Sequence, residues 1–299
     1  MRVLLFGANG MLGQAIRNNF SNATDIELLC AARSEADFCF DFTDDIAVEE
    51  CFAKAEPEIV INAAAMVNLQ KCEESPSCAY LINSRFCSIL AQACQKYGSY
   101  LVQVSTDHYY TGDGSVRHKE DVPVRILNEY ARSKYVGECL TRVYEHSVVL
   151  RTNIVGFRGI VERPTFLEWA VRTLQNKEPL TAFKDFYTSS LHTEQFAEIL
   201  RAILELRPEG IFNVACAEVL SKAEFLENLS RKLFGRPMKA NIGSVHDFRG
   251  AKRADSLGLD TSKLEKILGY TMPSADEVME SIDAEYRRRT KINEIQFGD

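Results

Sequence analysis

The 299-residue chain has one tryptophan and five histidines, and it lacks several patterns that would assign it to a class. No stretch approaches 18 uninterrupted apolar residues, and the apolar start Met1–Phe6 is too short for a secretory h-region, so a cytoplasmic protein without membrane contact is expected. The nine cysteines, at 30, 39, 51, 72, 78, 87, 94, 139 and 216, include no C-x-x-C pair. That excludes a zinc knuckle or a thioredoxin-type motif and leaves free, mostly buried thiols in a reducing compartment. A basic excess is also missing: 35 Lys plus Arg stand against 42 Asp plus Glu, a net charge of −7. The balance gives no electrostatic case for nucleic acid, although a local basic pocket could still hold a phosphorylated small molecule. No metal-ligand cluster, internal repeat or low-complexity linker is visible.

What is present is ordinary globular material, 46% hydrophobic and 26% charged, in a length that allows about two domains. Short apolar runs read as buried parallel strands: Arg2–Phe6, Ile26–Cys30, Ile59–Asn62, Tyr100–Val104, Ser147–Leu150 and Ile211–Val214. Between them Leu12–Phe20, Ala47–Ala55, Ala79–Tyr97, Tyr130–Tyr144 and Glu194–Leu206 carry apolar residues at helical spacing. The alternation predicts an α/β fold, a doubly wound parallel sheet of Rossmann type. After Leu150 the rhythm loosens and prolines punctuate it. The expected division is a dinucleotide-binding domain over 1–155, with a returning element near 188–216, and a smaller, mostly helical lobe built from 156–187 and 217–299. The last helix, Ala275–Lys291, ends in Arg287, Arg288, Arg289 and Lys291, which suit the negative end of a helix dipole and read as a solvated face. Trp169 reads as a core residue of an amphipathic helix.

The first chemical signal is Gly7-Ala8-Asn9-Gly10-Met11-Leu12-Gly13, directly after a strand and opening a helix. Gly7 allows a tight turn, Gly10 lets a pyrophosphate approach the backbone, and Gly13 permits close helix packing. At the end of the second strand, where an acidic residue would hold the ribose 2′-hydroxyl of NAD, the chain offers Arg33 and Ser34, with Glu35 next to them. Arg33 and Ser34 suit a 2′-phosphate, so NADPH is expected, with NADH as the other possibility. Asp41-Phe42-Thr43 is a second segment where a side chain could reach the adenine, or else a helix-capping region before Ala47.

The second signal is the chain's one Tyr-x-x-x-Lys, Tyr130 and Lys134, whose i, i+4 spacing puts phenol and ammonium on one helix face. The positive charge is expected to lower the tyrosine pKa and make it a general acid or base. Upstream, Ser105-Thr106-Asp107 ends a strand, where ligands meet such sheets.

These strings, together with Ile61-Asn62-Ala63-Ala64-Ala65, Asn83, Asn128-Glu129-Tyr130, Gly137-Glu138 and Leu150-Arg151-Thr152, resemble the extended short-chain dehydrogenase/reductase family, and within it the dTDP-4-dehydrorhamnose reductase group. The resemblance implies that Thr106, Tyr130 and Lys134 are catalytic, and that Ala63, Ala64, Ala65, Asn83 and Ser105 line the cofactor. It implies reduction of a 4-keto (6-deoxy)sugar nucleotide by NADPH, with Tyr130 as proton donor, Thr106 on the carbonyl oxygen and Lys134 on the nicotinamide ribose. Thr106, Asp107, His108, Tyr130, Asn153 and Arg253 are the substrate candidates, Arg253 for the diphosphate with Lys252 behind it. Asp107 reads equally as a capping residue, His108 as a packed loop residue and Arg253 as a solvated turn. A homodimer through the helices at 79–97 and 130–144 follows by analogy alone.

The chain also departs from the group. His108-Tyr109-Tyr110 replaces the usual tyrosine with Val-Phe, Asn153-Ile154-Val155 stands where an aromatic pair is common, and Ala254 replaces a proline. Two other readings stay open: an epimerase that retains NAD and cycles the hydride internally, and a dinucleotide-binding regulatory subunit without turnover.

Overall fold

The computed structural model describes residues 1–21 and 23–291; residue 22 and residues 292–299, the end of the expected second lobe, lie outside the described residues. Seven strands, β1 (Arg2–Phe6), β2 (Glu27–Ala32), β3 (Phe38–Cys39), β4 (Ile59–Asn62), β5 (Tyr100–Val104), β6 (Ser147–Thr152) and β7 (Gly210–Val214), form one sheet in the order β3-β2-β1-β4-β5-β6-β7. Every pairing in it is parallel. The central strands are apolar on both faces because both are covered. Along β1, Val3 and Leu5 enter one core with Ile16, Phe196 and Leu200, while Leu4 and Phe6 enter the other with Phe52 and Phe86.

The covering helices are α1 (Met11–Phe20), α2 (Asp45–Ala55), α3 (Phe86–Tyr97), α4 (Glu129–Thr141), α5 (Phe166–Asn176), α6 (Thr193–Leu206), α7 (Lys222–Phe234) and α8 (Ala275–Lys291). α1 packs on α6, and α3 packs on both α2 and α4. Strand order reverses between β1 and β4, which opens a crevice at their C-terminal ends.

Three expectations need correction. The helix expected over 79–97 is three pieces: Pro76–Tyr80, a π-helical turn at Leu81–Arg85, and α3. The wider turn lets the backbone of Asn83 approach α4 so closely that a Cβ on Gly137 would lie 2.1 Å from the Asn83 carbonyl oxygen. The cut at residue 155 is also crossed. Arg117–His118 joins a four-stranded sheet with Tyr187–Thr188, Leu220–Ser221 and Ser256–Leu259, so part of the first half is built into the lobe. Finally, the cationic end of α8 is not all solvated. Arg289 is bonded to Glu285 and faces the Phe157 ring, and Glu285 accepts from the fully buried His192 at 2.7 Å, which pins α8 to the start of α6. Trp169 is half-buried against the main core beside Phe166. Cys39, Cys78 and Cys139 are exposed, and the other six cysteines are buried free thiols.

Candidate active site

The floor of the crevice is backbone. Gly7 has φ +84°, and a Cβ there would fall 2.7 Å from Ala64 N; one on Gly13 would fall 2.2 Å from the Gly7 carbonyl oxygen. Any side chain would close this cradle. Gly10 caps α1 without a side-chain hydrogen bond, so the first-turn amides, including those of Met11 and Leu12, are left for an anion while the Leu12 side chain fills the core. Asn9 donates to the Ser34 carbonyl at 2.6 Å and accepts from Arg17 at 3.0 Å, joining the turn to the loop after β2. Arg33 and Ser34 are exposed there. Asp37 accepts the Cys30 amide at 2.8 Å and so closes the loop on itself.

Some candidates are brought near the cradle but committed elsewhere. The Phe42 ring stacks on Phe86 with centroids 5.0 Å apart, inside a core cluster, so it is not the side chain that reaches an adenine. Asp41 accepts from both the amide and the hydroxyl of Thr43, bonds that hold its carboxyl below the ordinary range. Asn83 exchanges hydrogen bonds with both backbone groups of Met66, at 2.8 and 3.0 Å, and donates to Ser133 Oγ at 3.0 Å. It therefore shapes the half-buried wall Ala63–Ala65 instead of lining it, and ties that wall to the residue before Lys134.

The reactive groups sit at the end of β5. Thr106 Oγ1 accepts the His108 amide at 3.2 Å, lies 3.4 Å from Asp107 Oδ1, and faces the Tyr130 hydroxyl. The His108 ring stands edge-on to Tyr130, with centroids 5.5 Å apart. Burial pushes the Tyr130 phenol above its ordinary value, Thr106 opposing this and the Asp107 charge adding to it. The expected lowering by Lys134 is not what the structure shows. The Lys134 ammonium donates to the Val104 carbonyl at 2.7 Å, and burial pulls its own pKa down.

Behind these groups lies a buried ion pair that motif reading left without a role. Glu138, one turn after Lys134, accepts from Ser105 Oγ at 2.6 Å, from the Tyr109 hydroxyl at 2.9 Å and from Arg151 at 2.9 Å. The Ser105 hydroxyl is therefore engaged with the pair. Through it the helix bearing Tyr130 and Lys134 is fastened to the strand end bearing Thr106. Asn128 is a second such residue: it caps α4 through the Ala131 amide and donates to the Lys252 carbonyl at 2.8 Å, drawing in the segment that carries Arg253. Asn at a helix start was a legible signal; its other partner was not.

On the lobe side, Asn153 donates to Asp107 Oδ2 at 2.8 Å and accepts from Ser190 at 2.7 Å. Burial raises Asp107 to about 7, and burial followed by the charges of Arg253 and Lys222 lowers His108 to about 4. His108 Nδ1 and Arg253 Nε are buried without partners, and the Arg253 guanidinium lies 4.4 Å over the Phe248 ring. Lys252 is exposed. Lys222, at the start of α7, joins this group although nothing in the sequence singled it out. Among the described residues no group of three or more His, Cys, Asp or Glu could hold a metal, and no helix is long and apolar enough to cross a membrane.

A glycine cradle and an uncapped helix amide end at the C-terminal end of a parallel sheet define a Rossmann-type dinucleotide-binding fold, with Thr106, Tyr130 and Lys134 gathered at the end of the same sheet. The sequence profile of the RmlD substrate binding domain family matches residues 1–287, and the chain belongs to that family. It is 29% identical over 227 residues to the spore coat polysaccharide biosynthesis protein SpsK of Bacillus subtilis, spanning 75% of this chain and 76% of that protein. Among solved structures it is similar to a dTDP-4-dehydrorhamnose reductase from Clostridium acetobutylicum, with TM-score 0.85, 25% identity and 96% and 100% of the two chains covered. The dTDP-4-dehydrorhamnose reductase of Bacillus anthracis in complex with NADP superposes equally well, TM-score 0.85 at 23% identity over 95% and 98% of the chains.

Proposed function

We propose that the protein is an NADPH-dependent reductase of a sugar nucleotide, acting on a 4-keto group. The observation that carries this reading is the meeting of Thr106, His108 and Tyr130 at the end of β5, together with a glycine cradle that a Cβ on Gly7 or Gly13 would fill. The cradle fits a dinucleotide pyrophosphate, Ala63–Ala65 fits the nicotinamide half, and Arg33 with Ser34 fits a 2′-phosphate. Bound there, the reduced nicotinamide supplies the hydride.

The chain's own groups do the rest. Thr106 holds the ketone oxygen, and Tyr130 gives its phenolic proton to that oxygen as negative charge develops on it. Lys134 leaves the Val104 carbonyl for the ribose and stabilises the phenolate that proton donation leaves behind. Asn153 fixes Asp107, and Asp107 with His108 flanks the sugar, while Arg253 holds the diphosphate. The lobe that closes over it comprises 156–187 and 217–291 with the small-sheet strand Arg117–His118. The protein works in the cytoplasm as a homodimer through α3 and α4.

The test is NADPH oxidation with dTDP-, UDP- and GDP-linked 4-keto-6-deoxyhexoses. Turnover with one of them that disappears in Tyr130→Phe supports the reading. Turnover that survives the substitution ends it. Tight nicotinamide binding, with conversion of a sugar nucleotide but no net oxidation, would favour the epimerase.

A further inference from the structure

Lys222 has an unusual setting. It occupies the first position of α7, where the positive end of the helix disfavours a cation, and the helix is already capped by Ser221 and Glu224. Among the described residues its ammonium has no hydrogen-bonded or ion-paired partner. It is held over three rings, 4.5 Å from Phe166, 5.5 Å from Phe225 and 5.7 Å from Phe186. The acid that faces it is Asp107, whose carboxylate oxygens already accept from Asn153 and Thr106. Arg253 faces it as well and repels it, and burial with that repulsion lowers Lys222 to about 8. Two cations held near each other without a bonded acid, next to a histidine nitrogen that also lacks a partner, are costly unless an anion completes them.

We propose that Lys222 is a substrate-binding residue, and that with Arg253 and His108 it forms a socket for the diphosphate, Lys222 taking the phosphate attached to the sugar and Arg253 the phosphate on the nucleoside side. The assignment rests on the sugar-nucleotide reading above. The order follows from the neighbours: Lys222 faces Asp107, which adjoins the reacting Thr106, whereas Arg253 is stacked on Phe248, a ring 44% exposed at the rim. The socket selects diphosphate-linked sugars over compounds that carry a single phosphate.

Calorimetric titration of the NADPH-loaded protein with dTDP and with dTMP tests it. Wild type should bind dTDP more tightly than dTMP. Lys222→Met should weaken dTDP by about 10- to 100-fold, the range of one lost charge-assisted hydrogen bond, and leave dTMP within about twofold. Lys222→Arg should recover most of the loss. NADPH affinity serves as the folding control, and Lys222→Gln replaces the methionine variant if that one fails it. An unchanged dTDP affinity, or an equal loss for both nucleotides, overturns the role of Lys222 alone. If wild type binds NADPH but neither dTDP nor the UDP and GDP counterparts, the sugar-nucleotide reading falls together with it.

Discussion

The two ends of the crevice are built in opposite ways. At the glycine end recognition is by backbone: a turn at positive φ, uncapped helix amides, and contacts within seven consecutive residues, Gly7 to Gly13. At the lobe end the proposed contacts are side chains from four distant segments, around residues 106–108, 153, 222 and 253. The first kind of site tolerates almost no side-chain change at its glycines but asks little of the rest of the chain. The second exists only if the lobe is docked, and it is where one family can diverge in substrate.

Tyr130, the proposed proton donor, lies between the two ends, and removing its hydroxyl is the largest expected effect. Tyr130→Phe should lower kcat by about 10²- to 10⁴-fold with NADPH affinity unchanged, read by single-turnover kinetics. Equal losses in cofactor binding would mean that the hydroxyl holds the cofactor and does not act through its proton alone.

Next is the buried pair that fastens the two halves of the catalytic set. Glu138→Ala leaves the Arg151 charge, whose side chain is 3% exposed, without its acid, and should cost about 3–5 kcal/mol in denaturant unfolding. A cost below about 1 kcal/mol would show that water enters and that the pair does not position Thr106.

Gly7→Ala should abolish NADPH binding, because the methyl group meets Ala63 and Ala64 backbone at 2.7–2.9 Å and the residue must hold φ +84°. The strain should cost about 1–3 kcal/mol of stability. Nucleoside diphosphate binding at the lobe end should persist, and its loss would mean that the two ends are not separable.

At the lobe end the sharpest handle is pH. Asp107 is raised to about 7 from an ordinary value near 4, chiefly by burial, so the folded protein binds the extra proton. Its stabilising effect is complete at low pH and is lost as pH rises through about 7. Asp107→Asn should therefore gain melting temperature relative to wild type between pH 5 and pH 8. A constant difference would place the carboxylate in contact with solvent. The smallest effect is expected at the exposed Arg33, where Arg33→Ala should weaken NADPH by about tenfold and leave NADH unchanged.

The fold was legible where one physical rule dominates. Buried parallel strands are apolar on both faces, and all six expected from sequence lie within a residue or two of their observed ends, as do the glycine turn and the helix that it opens. Short pieces escaped for the same reason: Phe38–Cys39 and Arg117–His118 are two residues each, too short for periodicity to register. The π-turn at Leu81–Arg85 escaped because its cause is the close approach of Gly137, 50 or more residues away.

The sequence by itself determined the doubly wound sheet, the dinucleotide cradle and the Tyr130/Lys134 helix face, because each depends on local spacing: strand alternation, glycine freedom and the 3.6-residue helical turn. Only the tertiary structure decided that Asn83 bonds the backbone of Met66, that the Ser105 hydroxyl bonds Glu138, and that Lys222 is held over the rings of Phe166, Phe186 and Phe225. Those roles are set by which polar groups meet after the chain has closed on itself. Such a meeting joins residues far apart in the chain, as between His108 and Arg253, 145 positions away, and no local pattern encodes it.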